Sequence, residues 1–293
     1  MKKILAGLLI MMTLSACAPQ KQSDKLQVTV SFYVLEDLTK KIGGDLVQIT
    51  DVMPSGGEPH DFEPSTKTMM TLSDASLIFI LGNDFEPWFN DAYDNVKHDG
   101  QQVVVLSEGI ETLINLDTGQ IDPHIWTSIR NIITIMEKIK IVLSDADPIH
   151  QAQYQINFDL YKARFEALDL EYQKVADGRK RDVFVTNHAA FGYLAQDYGL
   201  TMIPIMGLEP DAEPDASTMA RIIDLVKQFK IPYILYEDEA NADVATTIAQ
   251  ETGAKTGVLR TGESLNSAQV KAGDDLISIL SQNLVWFRKA LQE

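Results

Sequence analysis

The stretch DPIHQAQYQINFDLYKARFEALDLEYQKVADG, residues 147–178, determines the organisation of the chain. Its apolar residues recur in alternating steps of about four and three, which places them on one face of a continuous helix. Asp147 suits the N-cap of this helix, Pro148 suits its first position, and Gly178 suits its C-terminal end. At about 1.5 Å per residue, a helix over residues 148–177 would span roughly 45 Å, the width of a domain. The residues on the apolar face are Tyr154, Phe158, Tyr161, Phe165, Leu168, Tyr172 and Val175.

Runs of β-type residues alternate with helical patterns on both sides of this helix. Such alternation predicts βαβ units and mainly parallel sheets. We therefore predict an α/β fold of two lobes that the long helix joins as a rigid strut; an ordinary coiled-coil or bundle helix is the alternative. The strands are predicted at residues 26–33, 47–53, 76–82, 101–106, 182–187, 202–206, 232–237 and 256–260. Helices are predicted up to residue 42 and near 188–199, 214–229, 241–252 and 270–290.

The length of the chain, 293 residues, fits two domains better than one core. We expect residues 26–146 to form the first lobe, residues 147–178 the connecting helix and residues 179–293 the second lobe.

The N-terminal residues have the pattern of a bacterial lipoprotein signal. Two Lys are followed by a short apolar run and by LSAC, which is typical of a signal peptide over residues 1–16 with cleavage before Cys17. Cys17 would then carry the lipid and residues 17–25 would be a polar tether, although an incidental Cys in a signal segment is the alternative. No later stretch is long and apolar enough to cross a bilayer. We expect a lipid-anchored protein on the extracytoplasmic face of the cell membrane.

Charge and cysteine content restrict the function. The chain has one Cys and a formal charge of −17, so once the signal is cleaved a disulfide or thiolate metal site has no further Cys to draw on. Any metal must therefore bind through N and O ligands. The acidity argues against nucleic-acid binding, which needs a basic surface. It suits long-range attraction of cations, and it is equally compatible with a role in solubility alone.

The five His differ in their sequence contexts. His98 lies in a polar turn and His150 off the apolar face of the long helix, and both are interpreted as solvated. His60 and His188 each follow a predicted strand, and His124 lies in the loop segment IDPHIWTS. The carboxyl ends of parallel strands are where α/β proteins place ligand sites, and imidazole is the commonest metal ligand. Each of the three could be a structural His, but three in such contexts favour a metal site.

A closed tetrahedral site needs a fourth ligand beside three imidazoles. Glu263 in TGESLN and Glu237 at the end of YILYE both follow predicted strands of the second lobe. Either could instead be an ordinary surface acid. Three imidazoles and one carboxylate favour Zn²⁺, whereas Mn²⁺ prefers more oxygen donors.

The order and spacing of several motifs give the chain a specific resemblance. It resembles the zinc- and manganese-binding lipoproteins of bacterial ABC importers, the cluster A-I solute-binding proteins, over nearly all of the chain after the signal. The resemblance implies two β/α lobes joined by a long helix, with the metal in the cleft between them. The motifs are GGEPHDFEPS (56–65), GNDFEPW (82–88), DPHIW (122–126), HAAFGYLAQDYGL (188–200), GLEPDAEPD (207–215), TIAQETGAK (247–255) and AGDDLISILSQNL (272–284).

The resemblance also implies the ligands. The family's first and second His correspond to His60 and His124, and its third position is His188, where manganese-binding members often have Glu. The last position corresponds to Glu263, and Glu237 matches an acid that recurs near the site, which makes it the second choice. The absence of a His-rich insertion brings the chain closest to zinc-specific members without that loop.

Two motifs depart from the family pattern. The family usually carries an Asp-Pro pair after the Trp of DPHIW, and here Thr127 and Ser128 follow it instead. The RTGES loop, which carries Glu263, lacks a Pro that is common there.

These observations lead to one principal hypothesis and three alternatives. We expect a monomeric receptor, not an enzyme, that binds Zn²⁺ and delivers it to an ABC permease with its ATPase. A manganese receptor of the same type is the first alternative. The second is a zinc hydrolase with Glu58, Glu237 or Asp238 as general base, although the chain has no HExxH motif. The third, a surface adhesin, has no sequence feature that tests it.

Overall fold

The computed structural model describes residues 25–54, 56–115, 118–208, 214–237 and 242–293. The predicted signal peptide, the lipidation site Cys17 and all but the last residue of the predicted tether lie outside the described residues. Asp238, named for the hydrolase hypothesis, also lies outside them. Among the helices that are described, none combines the length and the apolar composition needed to cross a membrane.

The first half of the chain folds into a parallel four-stranded sheet with the order β2-β1-β3-β4. Its central strand β3 is buried at every position, as expected for a parallel sheet covered on both faces. The strands are β1 (Leu26–Val30), β2 (Val47–Asp51), β3 (Leu77–Ile80) and β4 (Gln102–Val105). The helices are α1 (Tyr33–Gly43), α2 (Thr66–Asp74), α3 (Phe89–Asp94) and α4 (Ile129–Ala146).

The second half repeats this plan in a sheet with the order β6-β5-β7-β8, again parallel. The strands are β5 (Val183–Thr186), β6 (Thr201–Pro204), β7 (Tyr233–Tyr236) and β8 (Lys255–Val258). The helices are α6 (Gly192–Asp197), α7 (Ala216–Phe229), α8 (Asp243–Thr252), α9 (Ser267–Ala272) and α10 (Leu276–Gln292).

The long helix α5, Gln151–Asp177, connects the two halves, which confirms the predicted fold class. It begins later than predicted, because residues 148–150 form a 3-10 turn. The Asp147 carboxylate makes no capping bond to the backbone and instead accepts hydrogen bonds from His150 Nδ1 (2.6 Å) and the Tyr154 hydroxyl (2.8 Å). All the residues of the predicted apolar face are buried except Tyr161, which is half-buried.

The main hydrophobic core runs through both lobes. Helix α5 packs against α1 and α4 on the first lobe and against α10 on the second. The buried residues of these elements form one continuous cluster, with two smaller clusters on the sheets. The core is continuous across α5, so it does not mark where one lobe ends and the other begins. The lobe boundaries at residues 26–146 and 179–293 therefore stay a prediction.

All eight predicted strands are present, each shorter than predicted. The predicted helix over residues 270–290 is wrong as a single element. Gly273 adopts a left-handed conformation (φ 75°) that ends α9, and Asp275 caps the start of α10 through its side chain.

Candidate metal centre

The rings of His60 and His124 approach each other closely. Their Nε2 atoms lie 3.2 Å apart, although the two residues are far apart in the chain. A tetrahedral ion with bonds of about 2.0–2.1 Å to nitrogen would separate two such atoms by roughly 3.3 Å. The observed spacing therefore suits two ligands of one tetrahedral ion.

An acid-Pro-His tripeptide places each of these two rings. Glu58 Oε1 accepts a hydrogen bond from the backbone N–H of His60 at 3.1 Å. Asp122 Oδ1 accepts one from the backbone N–H of His124 at 3.0 Å. In both cases a carboxylate accepts a hydrogen bond from the backbone N–H two residues later, and for Asp122 this is an Asx-type turn. Each bond restricts the direction in which the His leaves the chain.

Asp122 also contacts the His124 ring. Its Oδ1 atom lies 2.8 Å from His124 Nδ1, and both side chains are buried. A carboxylate that accepts the Nδ1 proton leaves the Nε2 lone pair available to a metal. The structure thus holds His124 in the tautomer that a metal site requires.

Glu263 joins these two His. It lies in the loop between β8 and α9 and is 7% exposed. One ligand atom from each of His60, His124 and Glu263 lies within 4.8 Å of the other two. Two residues from the first half of the chain and one from the second therefore meet at one point.

His188 lies beside this group. It follows β5 and is fully buried, and the centroid of its ring lies 5.3 Å from that of His124, edge to face. Its Nδ1 atom lies 2.6 Å from Glu237 Oε1. Among the described residues, neither ring nitrogen has a partner in good hydrogen-bond geometry, so the Nδ1–Glu237 contact is an ion-pair contact and Nε2 has none. His188 therefore has one ring nitrogen held by a carboxylate and the other available as a ligand. His188 is not one of the three residues whose ligand atoms cluster within 4.8 Å.

The sheet topology explains the contact between His188 and Glu237. Strands β5 and β7 are hydrogen-bonded neighbours, and Thr186 pairs with Leu235. His188 and Glu237 each follow these residues by two positions, at the same carboxyl edge of the sheet. Glu237, the second choice for the fourth ligand, thus lies against the far side of an imidazole, and Glu263 occupies the place beside His60 and His124.

Aromatic side chains enclose the first-lobe part of the site. The His60 ring lies edge-on to Phe85 at 5.4 Å, and the His124 ring lies 5.3 Å from Trp126. Phe32 contacts both of these aromatic rings, at 4.7 Å from Phe85 and 5.3 Å from Trp126. This apolar wall buries His124 and restricts the motion of the two imidazoles, and His60 is half-buried.

Burial and neighbouring charges shift the pKa values of the three His in different directions. Burial, followed by the nearby His124 and His188, lowers the pKa of His60 to about 3. Burial also lowers the pKa of His124, against the opposing effect of Asp122. Burial acts in the same direction on His188, but the Glu237 carboxylate outweighs it and raises the pKa of His188. Below that raised pKa, His188 is the protonated member of the three.

The other two His lie in different surroundings. His98 is exposed, and its Nε2 atom lies 2.9 Å from the carbonyl oxygen of Ser73. His150 is part of the turn at the start of the long helix, where it contacts Asp147.

Sequence reasoning missed the structural role of Asp122. The signal was present in the repetition of acid-Pro-His at residues 58–60 and 122–124. An acid two residues before a candidate ligand can bond both the backbone and the ring of that His, whereas charge counting treats it only as a contribution to the surface field.

Comparisons with known proteins give a consistent result. Residues 28–290 match the family model ZnuA, described as zinc-uptake complex component A, periplasmic. The chain is 36% identical over 310 residues to the zinc-binding lipoprotein AdcA of Streptococcus pneumoniae, which covers 100% of this chain and 61% of AdcA. It is 34% identical over 276 residues to the high-affinity zinc uptake system protein ZnuA of Bacillus subtilis, which covers 90% of this chain and 86% of that protein. The chain thus spans less than two thirds of AdcA.

Solved structures share the fold. The Zn(II)-bound ZnuA-like domain of Streptococcus pneumoniae AdcA superposes with a TM-score of 0.81 at 33% identity, covering 92% of this chain and 100% of that domain. A laminin-binding protein of Streptococcus agalactiae, described as having adhesin and metal transporting activity, superposes with a TM-score of 0.82 at 29% identity, covering 91% of this chain and 99% of that protein.

Proposed function

The chain belongs to the ZnuA family of zinc-uptake components, and from this we propose that it is a receptor that captures Zn²⁺ outside the cytoplasm and delivers it to an ABC permease and its ATPase. One observation carries the proposal most directly. Ligand atoms of His60, His124 and Glu263 lie within 4.8 Å of one another, and the two imidazole Nε2 atoms have the spacing of a tetrahedral edge.

We assign four protein ligands to the ion. His60 and His124 come from the first lobe, and His188 and Glu263 from the second. Zn²⁺ bound in this way bridges the lobes, so its binding energy stabilises their contact. His188 completes the set through its Nε2 atom, because Glu237 holds its Nδ1 atom.

The ligand set favours zinc over manganese. Imidazole suits borderline ions such as Zn²⁺, whereas Mn²⁺ prefers carboxylate, carbonyl and water oxygens. The names of the relatives, a zinc-binding lipoprotein and a zinc uptake protein, support the same ion.

A receptor accounts for the site better than a hydrolase does. A catalytic zinc keeps a coordination position for water and has a general base nearby. Four protein ligands leave no such position, and the carboxylates of Glu58 and Glu237 are engaged with His60 N and His188 Nδ1.

The location and the assembly are part of the proposal. A lipid on Cys17 would hold the receptor at the extracytoplasmic face of the membrane, as the lipoprotein name of AdcA suggests for that relative. We propose a monomer, because both halves of the candidate site come from one chain. Mass spectrometry of the N-terminal peptide, in the wild type and in a Cys17→Ser variant, tests the lipid.

Metal analysis tests the central claim. We expect about one zinc per mature protein as purified and a clear loss of zinc in a His188→Ala variant. The matched control is His98→Ala, which removes an exposed His away from the site and should leave the zinc content unchanged. Wild-type protein that retains manganese and not zinc would favour the manganese alternative, and intact zinc binding in His188→Ala would remove His188 from the ligand set.

Adhesion is a second candidate function. The fold shared with the laminin-binding protein of Streptococcus agalactiae supports it. Binding of the mature protein to immobilised laminin, compared with its binding to an albumin-coated surface, tests this role. Equal binding to the two surfaces would count against it.

A further inference from the structure

We propose that Thr127 is a positioning residue that sets the spacing of His124 and His188 by hydrogen bonding to the backbone beside each of them. The inference rests on the proposed zinc-binding function. It concerns a residue that belongs to neither the ligands nor the carboxylates that contact them.

The contacts of Thr127 link the two lobes. Its single hydroxyl proton is shared between the carbonyl oxygen of His124 at 2.9 Å and that of Ala190 at 3.1 Å. Ala190 lies two residues after His188 and is fully buried, and Thr127 is 2% exposed. The His124 carbonyl also accepts a hydrogen bond from the Thr127 backbone N–H at 3.1 Å. Loss of the buried hydroxyl would therefore affect mainly the Ala190 carbonyl, which water has little access to satisfy.

Ser128, the next residue, connects the same turn to the second lobe through another hydrogen bond. Ser128 caps α4 by accepting a hydrogen bond from the backbone N–H of Asn131 at 3.1 Å. Its hydroxyl donates to Asp197 Oδ2 at 2.6 Å, and Asp197 is the last residue of α6 in the second lobe. Burial raises the pKa of Asp197 while the hydrogen bond from Ser128 opposes that shift, so this contact favours the charged carboxylate.

Trp126, which precedes Thr127, contacts the second-lobe loop that carries Glu263. The Trp126 indole N–H donates to the carbonyl oxygen of Thr261 at 3.0 Å, two residues before Glu263. The turn over residues 126–128 therefore contacts three parts of the second lobe. These are the backbone just after His188, the end of α6 and the loop that carries Glu263. Among these contacts, the Thr127 hydroxyl is the one that bonds next to two proposed ligands at once.

The consequence is preorganisation of the ligand pair. The ring centroids of His124 and His188 lie 5.3 Å apart. A site whose ligands are already held in place loses less conformational entropy when the ion binds, and small displacements of its supporting residues weaken it.

The test compares three variants of the full mature protein with zinc as the probe. Thr127→Val keeps the branched shape and removes the hydroxyl, and we expect its zinc Kd to rise about tenfold, mainly through faster dissociation. Thr127→Ser restores the hydroxyl and should recover most of the affinity. Thr134→Val is the matched control, because the hydroxyl of Thr134 is exposed and bonds only within α4; its Kd should equal that of the wild type.

A second readout uses the metal-free protein. The imidazole nitrogen resonances of His124 and His188 should shift in Thr127→Val and stay in place in Thr134→Val. A Thr127→Val variant with lower stability but wild-type Kd and unshifted resonances would overturn the inference. Wild-type protein that bound no zinc would overturn the proposed function, and the resonances would then still decide whether Thr127 positions the two rings.

Discussion

The Nδ1 atom of His188 lies 2.6 Å from the Oε1 atom of Glu237, and both side chains are buried. Glu237 is itself held, since its Oε2 atom accepts a hydrogen bond from the Thr261 hydroxyl at 3.0 Å. A carboxylate fixed against one ring nitrogen orients the imidazole and increases the basicity of the other nitrogen. We therefore expect Glu237 to support a ligand, and Glu263 to be one.

The two acids should differ in their effect on zinc binding. Glu263→Ala removes a proposed ligand, so we expect its zinc Kd to rise by more than about 100-fold, whereas Glu237→Ala should raise it by about 10- to 100-fold. Competition with a chelator of known affinity measures both values. If Glu237→Ala proved the more damaging change, the roles of the two carboxylates would have to be exchanged.

Zinc binding should depend on pH through His188. The Nε2 atom must be unprotonated to bind zinc, and the pKa of His188 is raised while those of His60 and His124 are lowered. We expect the affinity to fall as the pH drops below the raised pKa of His188, with release of about one proton per zinc at lower pH. Calorimetry in buffers of different ionisation enthalpy counts these protons.

The same pKa shift sets the sign of the stability change. A raised folded-state pKa stabilises the metal-free protein below the unfolded-state pKa, and this contribution is lost as the pH rises through the folded-state value. Zinc should therefore increase the Tm more at higher pH. In Glu237→Gln the charge that raises the pKa of His188 is gone, so the fall in affinity should move to lower pH. An unchanged pH profile in this variant would contradict the assignment of the proton to His188.

The sequence predicted the fold well because its signals are local and repeated. The apolar face of α5 follows from periodicity and the eight strand segments follow from runs of β-type residues. The predicted strands ran past the observed ends, where Val52 and Leu106 still donate backbone hydrogen bonds to a neighbouring strand, because the ends of strands are poorly defined. The helix over residues 270–290 was wrong because a single Gly, Gly273, interrupts it at a left-handed φ. Helix α4, Ile129–Ala146, was not predicted at all, although Ser128 caps it.

The site was only partly predictable. Sequence context placed His60, His124 and His188 at loop positions, but it gave no distances. Which acid lies beside two imidazoles and which lies behind the third depends on the pairing of β5 with β7 and on the path of the loop after β8. These are long-range relationships that no local pattern encodes, so it was the family resemblance, and not the spacing of the residues, that ranked Glu263 before Glu237.

Gly192 makes room for the carboxylate that holds His124. A Cβ atom at this position would lie 2.7 Å from Asp122 Oδ2. Gly192→Ala should push Asp122 away from the His124 ring and raise the zinc Kd about tenfold, as expected for loss of an orienting carboxylate. Gly207→Ala is the control, because a Cβ there meets no atom of the described residues within 4 Å. Equal zinc affinities in the two variants, measured by chelator competition, would mean that Asp122 does not orient His124.

Lys41 forms a buried ion pair within α1 and a second, partly exposed ion pair with the second lobe, away from the candidate metal centre. Lys41 Nζ in α1 lies 2.7 Å from Asp37 Oδ1 and 2.8 Å from Asp275 Oδ2, and Asp275 caps α10. Lys41→Met should lower the free energy of unfolding by about 3–5 kcal/mol, because Asp37 is left as a buried charge without its cation. Urea denaturation measures this change.

Two comparisons make the prediction specific. Burial raises the pKa of Asp37 even though Lys41 opposes it, so the destabilisation in Lys41→Met should shrink as the pH falls through that pKa and Asp37 becomes neutral. The double variant Asp37→Leu/Lys41→Met should recover much of the lost stability. Lys97→Met, which breaks the exposed pair with Asp94, should have no measurable effect. A Lys41→Met variant as stable as Lys97→Met would show that the two ion pairs of Lys41 do not stabilise the fold.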